Sequence, residues 1–239
     1  MKKETGCLHF ILGSYHLVCY QHSRTKMKLP LLIIFIFISS IVYGQPFIEE
    51  IQAFKRQDSI SAPPKNAVLF VGSSSFRMWN DLKQNFPKYK IINRGFGGST
   101  FNDLIRYTDV IVLPYKPKQV VIYCGDNDIA SGVSPEETGE RFDTFVKIVR
   151  SYLPGVKIIF VSIKPSPKRL QFEKQIMAAN ALIKSKIERM KKAHYVDIHT
   201  PMLSPEGTPR QELFTSDDLH INEAGYAIWQ KALQPVLAK

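Results

Sequence analysis

Five short apolar runs, each followed by a segment long enough for a helix, constrain the fold of this chain more than any other feature. Three of them read Val-Leu-Phe-Val (68–71), Val-Val-Ile-Tyr-Cys (120–124) and Ile-Ile-Phe-Val (158–161). Runs that are apolar at nearly every position are typical of strands buried on both faces of a parallel sheet. The sequence therefore predicts a three-layer α/β/α fold, in which helices cover both faces of a five-stranded parallel sheet.

The predicted strands span 67–71, 90–93, 119–124, 157–163 and 194–198. The predicted helices span 47–60, 78–86, 101–113, 135–153, 168–190 and 222–237. Ser134 and Pro135 are typical of an N-cap followed by the first helical residue. In parallel sheets of this kind ligands bind at the carboxyl ends of the strands, so polar residues that follow the strands are the candidates for a functional site.

The first 44 residues differ in character from the rest. From Met27, a positive start, an apolar stretch over 31–38 and small residues up to Gly44 are typical of a secretory signal peptide cleaved after Gly44. Residues 1–26 are interpreted as an extension before the true start at Met27. The sequence thus predicts a secreted or periplasmic protein without stable membrane association. An uncleaved anchor is the alternative, although the apolar stretch is shorter than the ~20 residues of a membrane span.

Beyond residue 44 the sequence predicts a leading helix and linker over 45–65 and a single domain over 66–239. This part carries 27 basic and 20 acidic side chains. The basic residues at 116–118, 164–169 and 184–192 are interpreted as solvated loop and helix faces. Because no basic face with interleaved aromatic residues is present, no nucleic-acid partner is predicted. Composition leaves the oligomeric state open.

Cys124 is the only cysteine beyond residue 44, so it cannot form an internal disulfide. Because it ends an apolar run, it is interpreted as a buried core residue, with a cysteine nucleophile as the alternative. Trp79, Phe96 and Trp229 are likewise interpreted as core aromatics, although they could line a pocket.

Two glycine-containing turns follow the first and second strands. The serines at 73–75 come directly after Gly72, where a helix N-terminus surrounds a hydroxyl with free amides; ordinary helix capping is the alternative. The turn at 93–100 can bring backbone amides to a ligand oxygen, or can be only a flexible connection. It does not match a dinucleotide fingerprint, because Thr100 stands where the last glycine is required, and it lacks the Gly-Lys-Ser/Thr of a phosphate loop.

The segments 125–128 and 217–220 carry the remaining candidates. Asn127 follows the third strand, where its amide can donate a hydrogen bond to a developing oxyanion; an Asx turn is the alternative. Asp217 and His220 are spaced i, i+3, so the carboxylate can orient the imidazole while the other ring nitrogen faces a serine. A capping aspartate beside an exposed histidine is the alternative.

A rival histidine–carboxylate set lies near the last predicted strand. His194, Asp197 and His199 could form a second pair or bind a metal. His194 and His199 are predicted to face opposite sides, because side chains alternate along a strand. That arrangement does not converge on one ion, so no metal site is predicted.

In this order along the chain, the four segments resemble the conserved blocks of the SGNH hydrolases, the GDSL esterase/lipase superfamily, over residues 66–239. The family's first block, Gly-Asp-Ser, corresponds to Gly72-Ser73-Ser74, and the resemblance implies Ser74 as the nucleophile. The family's aspartate is Ser73 here, which leaves Ser73 and Ser75 as the other candidates.

The remaining blocks imply the other site residues. Gly98 corresponds to the second block and Asn127 to the third. The resemblance implies that the Gly98 backbone amide and the Asn127 side-chain amide join the Ser74 backbone amide in an oxyanion hole. Asp217 and His220 correspond to the last block, and the resemblance implies that they complete a catalytic triad.

The resemblance also implies a fold and an activity: a flavodoxin-like sheet and a serine esterase that hydrolyses carboxylic esters through an acyl-enzyme, with no metal or cofactor. The pattern Phe-Val-Gly-Ser-Ser-Ser-x-Arg-Met-Trp (70–79) resembles secreted bacterial acetylhydrolases and carbohydrate O-acetylesterases. Short acyl esters of a small molecule or glycan are therefore the expected substrates. The alternatives are a lysophospholipase-like or thioesterase-like lipid esterase, a sugar O-acyltransferase, or a non-catalytic glycan-binding relative.

Overall fold

The computed structural model describes residues 47–238. The strands of this part are β1 (Val68–Gly72), β2 (Ile91–Gly95), β3 (Gln119–Tyr123), β4 (Lys157–Val161) and β5 (Ala193–Val196). They form a parallel sheet in the order β2-β1-β3-β4-β5. The predicted α/β fold with a five-stranded parallel sheet is confirmed. The signal peptide predicted within 1–44 lies outside the described residues.

The helices of the described part are α1 (Ile48–Ile60), α2 (Ser74–Arg77), α3 (Leu82–Asn85), α4 (Phe101–Arg106), α5 (Thr108–Ile111), α6 (Asp126–Ala130), α7 (Pro135–Tyr152), α8 (Glu173–Glu188) and α9 (Glu223–Leu233). Short 3₁₀ turns span Leu113–Tyr115, Pro167–Phe172, Thr200–Met202 and Gln211–Leu213.

Side chains of the interior strand β1 point alternately to two hydrophobic cores. Leu69 and Val71 belong to the core that is covered by α1, α4, α5, α7 and α8. Val68 and Phe70 belong to the core beneath α2, α3 and α9. Because each β1 side chain is buried whichever face it points to, the strand reads as a continuous apolar run rather than an alternating one.

Several element boundaries differ from those predicted. The helix predicted at 78–86 begins earlier, at Ser74, and turn residues separate α2 from α3. The helix predicted at 168–190 becomes regular only at Glu173, because a 3₁₀ turn begins at Pro167 and Arg169 takes φ −119° and ψ 23°. The predicted N-cap Ser134 is confirmed, since its side chain accepts a hydrogen bond from the Glu137 amide.

The leading helix α1 packs against the β2 side of the sheet. Asp58 accepts hydrogen bonds from the Arg94 guanidinium and, at 2.5 Å, from the Tyr115 hydroxyl. Near the start of α1, the Phe47 ring meets the Phe96 ring edge-on, with centroids 5.2 Å apart. The helix therefore reaches the turn that follows β2, where site residues were predicted.

Cys124 and the aromatic residues Trp79, Phe96 and Trp229 are all buried, as the core interpretation predicted. Burial raises the pKa of the Cys124 thiol well above its usual value, so the thiolate needed for a nucleophile is disfavoured.

Within residues 47–238, no helix combines the length and apolar character needed to span a membrane.

Candidate active site

The turn after β1 depends on Gly72. This residue has φ 147°, and a Cβ added to it would lie 1.9 Å from the Tyr123 carbonyl oxygen of the neighbouring strand. Only glycine fits such a close backbone approach. The Ser73 amide donates to that same carbonyl oxygen at 3.0 Å, so the chain turns sharply and places Ser74 at the first position of α2.

Of the three candidate serines, the structure brings Ser74 to His220. The Ser74 hydroxyl lies 3.0 Å from His220 Nε2. Ser73 and Ser75 are only 2% and 3% exposed, whereas Ser74 is partly open to solvent. Both the contact and the exposure distinguish Ser74 from Ser73 and Ser75.

Asp217 and His220 are in contact as their spacing predicted. Asp217 Oδ2 accepts from His220 Nδ1 at 2.5 Å, and Oδ1 accepts from the amides of Leu219 and His220, both at 2.9 Å. The Thr215 hydroxyl also donates to Oδ1 at 2.8 Å. Burial opposes the charge, but the hydrogen bonds from His220, Leu219 and Thr215 outweigh it and lower the pKa of Asp217, so the group stays a carboxylate.

The turn after β2 lies against the turn after β1. The Ser99 hydroxyl is 3.1 Å from the Gly72 carbonyl oxygen, and the Gly97 amide donates to Glu50 of α1 at 3.2 Å. Gly98 has φ 74° and is exposed. Within the described residues, the amides of Ser74 and Gly98 have no hydrogen-bond acceptor, so both can donate to a ligand.

The Asn127 side chain lies beside the same turn. Its Nδ2 donates to the Ser99 carbonyl oxygen at 3.0 Å, and its Oδ1 accepts from Arg169 Nη2 at 2.8 Å. An amide nitrogen carries two hydrogens, so one N–H remains for another acceptor. The structure therefore groups Ser74, Gly98 and Asn127 around the carboxyl ends of β1, β2 and β3.

The interpretation of 164–169 as a solvated face is wrong. Lys164 is 1% exposed, and its Nζ donates to Asp126 Oδ2 at 2.9 Å. Arg169 Nη1 also lies 2.5 Å from Asp126 Oδ1. Lys168, in contrast, is exposed as the interpretation predicted. Composition cannot distinguish these basic residues, but the position of Lys164 just after the fourth predicted strand was a signal that it faces the functional edge.

The rival histidines do not form a second site. His199 is buried, with Nδ1 at 3.0 Å from the Ile163 carbonyl oxygen and Nε2 at an ion-pair distance of 2.8 Å from Glu173. Asp197 instead accepts from the Thr200 amide, and His194 is exposed. Within residues 47–238, no group of three potential ligands could hold a metal ion.

Solved structures of three bacterial proteins share this fold. A protein described as a platelet activating factor from Streptococcus pneumoniae is 21% identical, with a TM-score of 0.72 over 87% of this chain and 99% of that one. A GDSL-like lipase from Bacteroides thetaiotaomicron is 22% identical, with a TM-score of 0.68 over 77% and 95%. An acetylxylan esterase variant from Geobacillus stearothermophilus is 17% identical, with a TM-score of 0.60 over 73% and 96%.

These identities are low enough that the three structures establish the fold alone. A comparison with curated protein sequences finds no match. The model of the GDSL-like lipase/acylhydrolase family, in contrast, matches residues 58–228 and spans β1 to β5 together with most of α9. This chain therefore belongs to the GDSL-like lipase/acylhydrolase family and is a carboxylic ester hydrolase.

Proposed function

We propose that this hydrolase is a serine esterase that removes short acyl groups, acetate in particular, from carbohydrate. The observation that carries the mechanism is the continuous contact from Ser74 Oγ to His220 Nε2 (3.0 Å) and from His220 Nδ1 to Asp217 Oδ2 (2.5 Å). A carboxylate can only accept, so Nδ1 carries the proton of a neutral ring and Nε2 is free to take one from the serine hydroxyl.

In the acylation step, His220 Nε2 takes the Ser74 proton as Oγ attacks the ester carbonyl carbon. The carbonyl oxygen becomes an oxyanion and accepts from the amides of Ser74 and Gly98 and from the free N–H of Asn127. When the tetrahedral intermediate collapses, the alcohol leaves with the proton from His220, and the acyl group stays on Ser74.

Deacylation repeats these proton transfers with water. His220 removes a proton from the water as its oxygen adds to the acyl carbon, and the same donors bind the oxyanion. Collapse releases the carboxylic acid and returns the proton to Ser74 Oγ. Asp217 stabilises the imidazolium in both steps, since the pKa of Asp217 is lowered and its carboxylate stays ionised.

The acetylxylan esterase from Geobacillus stearothermophilus that shares this fold supports acetylated carbohydrate as the substrate class. A groove of about 290 Å³ lies between the end of α2, at Met78, and the start of α9, at Asn222, and Ser74 and His220 are not among the residues that line it. Its other lining residues are mainly polar: Trp79, Asn80, Asp81, Asn85, Glu223, Tyr226, Ala227 and Gln230. This volume is near the lower limit of small-molecule pockets, about 300 Å³.

The test is hydrolysis of p-nitrophenyl esters from acetate to decanoate, and of acetylated xylo-oligosaccharides, by the unit Gln45–Lys239. Ser74→Ala and His220→Ala should each lower kcat by about 10⁴-fold or more. Ser75→Ala and His194→Ala are matched controls, because Ser75 is buried beside the nucleophile and His194 is an exposed histidine.

Each alternative has its own outcome. A rate that increases with chain length would replace the deacetylase with a lipid esterase. Acyl transfer to a sugar hydroxyl without hydrolysis would indicate an acyltransferase. Full activity in Ser74→Ala would contradict the nucleophile assignment, and no turnover on any ester would favour a glycan-binding relative.

A further inference from the structure

The Asn127 carboxamide is fixed at both of its ends. Its Nδ2 donates to the Ser99 carbonyl oxygen at 3.0 Å, and its Oδ1 accepts from Arg169 Nη2 at 2.8 Å. If the amide were flipped, two oxygens would meet at Ser99 and two N–H donors would meet at Arg169. The two contacts therefore select one orientation of the side chain.

Arg169 is itself held by a buried charge. Its Nη1 lies 2.5 Å from Asp126 Oδ1, while Lys164 donates to the other oxygen of the same carboxylate at 2.9 Å. Burial opposes ionisation of Asp126, but the nearby charges of Lys164 and Arg169 outweigh it and lower the pKa. The cluster holds two cations and one anion, so a net positive charge lies next to Asn127 in a site of low dielectric.

We infer that Arg169 is a positioning residue of the oxyanion hole, which orients and polarises the Asn127 amide. This inference rests on the proposed role of Asn127 as an oxyanion donor. A guanidinium that donates to Oδ1 draws electron density toward the oxygen and makes the remaining Nδ2–H a stronger donor. Because the contact exists before substrate binds, the amide needs no reorganisation when the oxyanion forms.

An arginine is suited to this position for a geometric reason. Its planar fork contacts Asp126 through Nη1 and Asn127 through Nη2, so the carboxylate determines where the second donor points. A lysine ammonium at residue 169 would keep the charge but lose the fixed angle between the two donors. The 3₁₀ turn of Pro167–Phe172, with Arg169 outside helical geometry, presents the side chain to the carboxyl edge of β3.

The test is steady-state kinetics of the full-length protein with p-nitrophenyl acetate. Arg169→Met should lower kcat by about 10- to 100-fold, which is part of the 10²- to 10³-fold cost of losing an oxyanion donor, and KM should change less than about threefold. Arg169→Lys should recover part of the loss. Arg141→Met is the matched control. Arg141 of α7 pairs with Asp128, which lies on α6 beside Asn127, and Arg141 has no contact with Asn127 within the described residues.

A double-mutant cycle with Asn127→Ala separates positioning from general structural damage. If Arg169 acts through Asn127, Arg169→Met should cost less than about threefold in kcat when Asn127 is already alanine. An equal loss in both backgrounds, or an unchanged kcat in the single variant, would overturn the inference while Ser74→Ala still tests the proposed function separately. If Arg169→Met does not fold, Arg169→Lys carries the same cycle, since it retains the charge beside Asp126.

Discussion

His220 and His199 both come after β5 in the chain, and both contact a carboxylate, yet their second partners differ. His220 contacts Asp217 at one nitrogen and the Ser74 hydroxyl at the other. His199 contacts Glu173 and the Ile163 carbonyl oxygen. A hydroxyl can donate a proton, whereas a carboxylate and a carbonyl oxygen can only accept.

This difference supports the proposed role of His220 as a base and a structural role for His199. With two acceptors around it, the His199 ring is favoured as an imidazolium. Burial disfavours that charge, but Glu173 and the Ile163 carbonyl oxygen outweigh burial and raise the pKa of His199. His220, with an acceptor on one side and a hydroxyl on the other, can take and return a proton. The second contact of the ring, rather than its carboxylate partner, therefore decides whether a histidine can take up and return a proton.

The largest expected effect concerns activity alone. His220→Ala should lower kcat/KM by about 10⁴-fold or more while changing the free energy of unfolding by less than about 0.5 kcal/mol, since its side chain is partly exposed. Esterase kinetics together with urea unfolding check this. Similar losses of stability in His220→Ala and His199→Ala would break the comparison.

The second prediction concerns the carboxylate that orients the base. Asp217→Asn should lower kcat by about 10²- to 10⁴-fold, because an amide at this place can favour the wrong tautomer of His220. Kinetics on p-nitrophenyl acetate measure the loss. Glu173→Gln is the matched control and should leave kcat within about threefold, because Glu173 has no contact with His220 within the described residues. Equal losses in the two variants would refute the distinction.

The third prediction concerns stability. His199→Leu should lower the free energy of unfolding by about 2–3 kcal/mol, because the Glu173 carboxylate loses its cation in a largely buried place. Urea unfolding gives the free energy of unfolding of this variant and of the double variant His199→Leu/Glu173→Leu. The double variant should recover part of the loss, because no unpaired charge remains. A fall in kcat with unchanged stability would mean that His199 belongs to the catalytic machinery.

The smallest effect is a pH dependence. A histidine whose pKa is raised by folding contributes stability that is fully present below its unfolded pKa of about 6.5 and is lost as pH rises through the folded value. The free energy of unfolding should therefore fall with increasing pH above about 6.5 more steeply in the wild type than in His199→Gln. Parallel curves from urea unfolding at pH 6–9 would show that His199 is not protonated in the fold.

Much of the site follows from the order of short segments along the chain. Gly72, Asn127 and the Asp217–His220 pair each lie where a parallel sheet brings loops together, so their meeting at one edge could be predicted. Local spacing was enough for Asp217 and His220, since residues three apart on a turn are neighbours.

The ionic cluster could not be predicted in this way. Lys164 and Arg169 belong to a basic stretch whose composition matches a solvated face, and their partner Asp126 lies about 40 positions earlier in the chain. The helix predicted over 168–190 is also wrong at its start, where the structure has a 3₁₀ turn that places Arg169 next to Asn127. Both errors arose because burial and ion pairing depend on contacts between distant segments.

By itself, the sequence determined the layered parallel fold and the set of candidate groups, because apolar periodicity and local spacing act over a few residues. Only the tertiary structure showed which of Ser73, Ser74 and Ser75 contacts a histidine, and that this histidine is His220 rather than His199. Those choices depend on distances of about 3 Å between segments far apart in the chain, which the packing of helices on both faces of the sheet establishes.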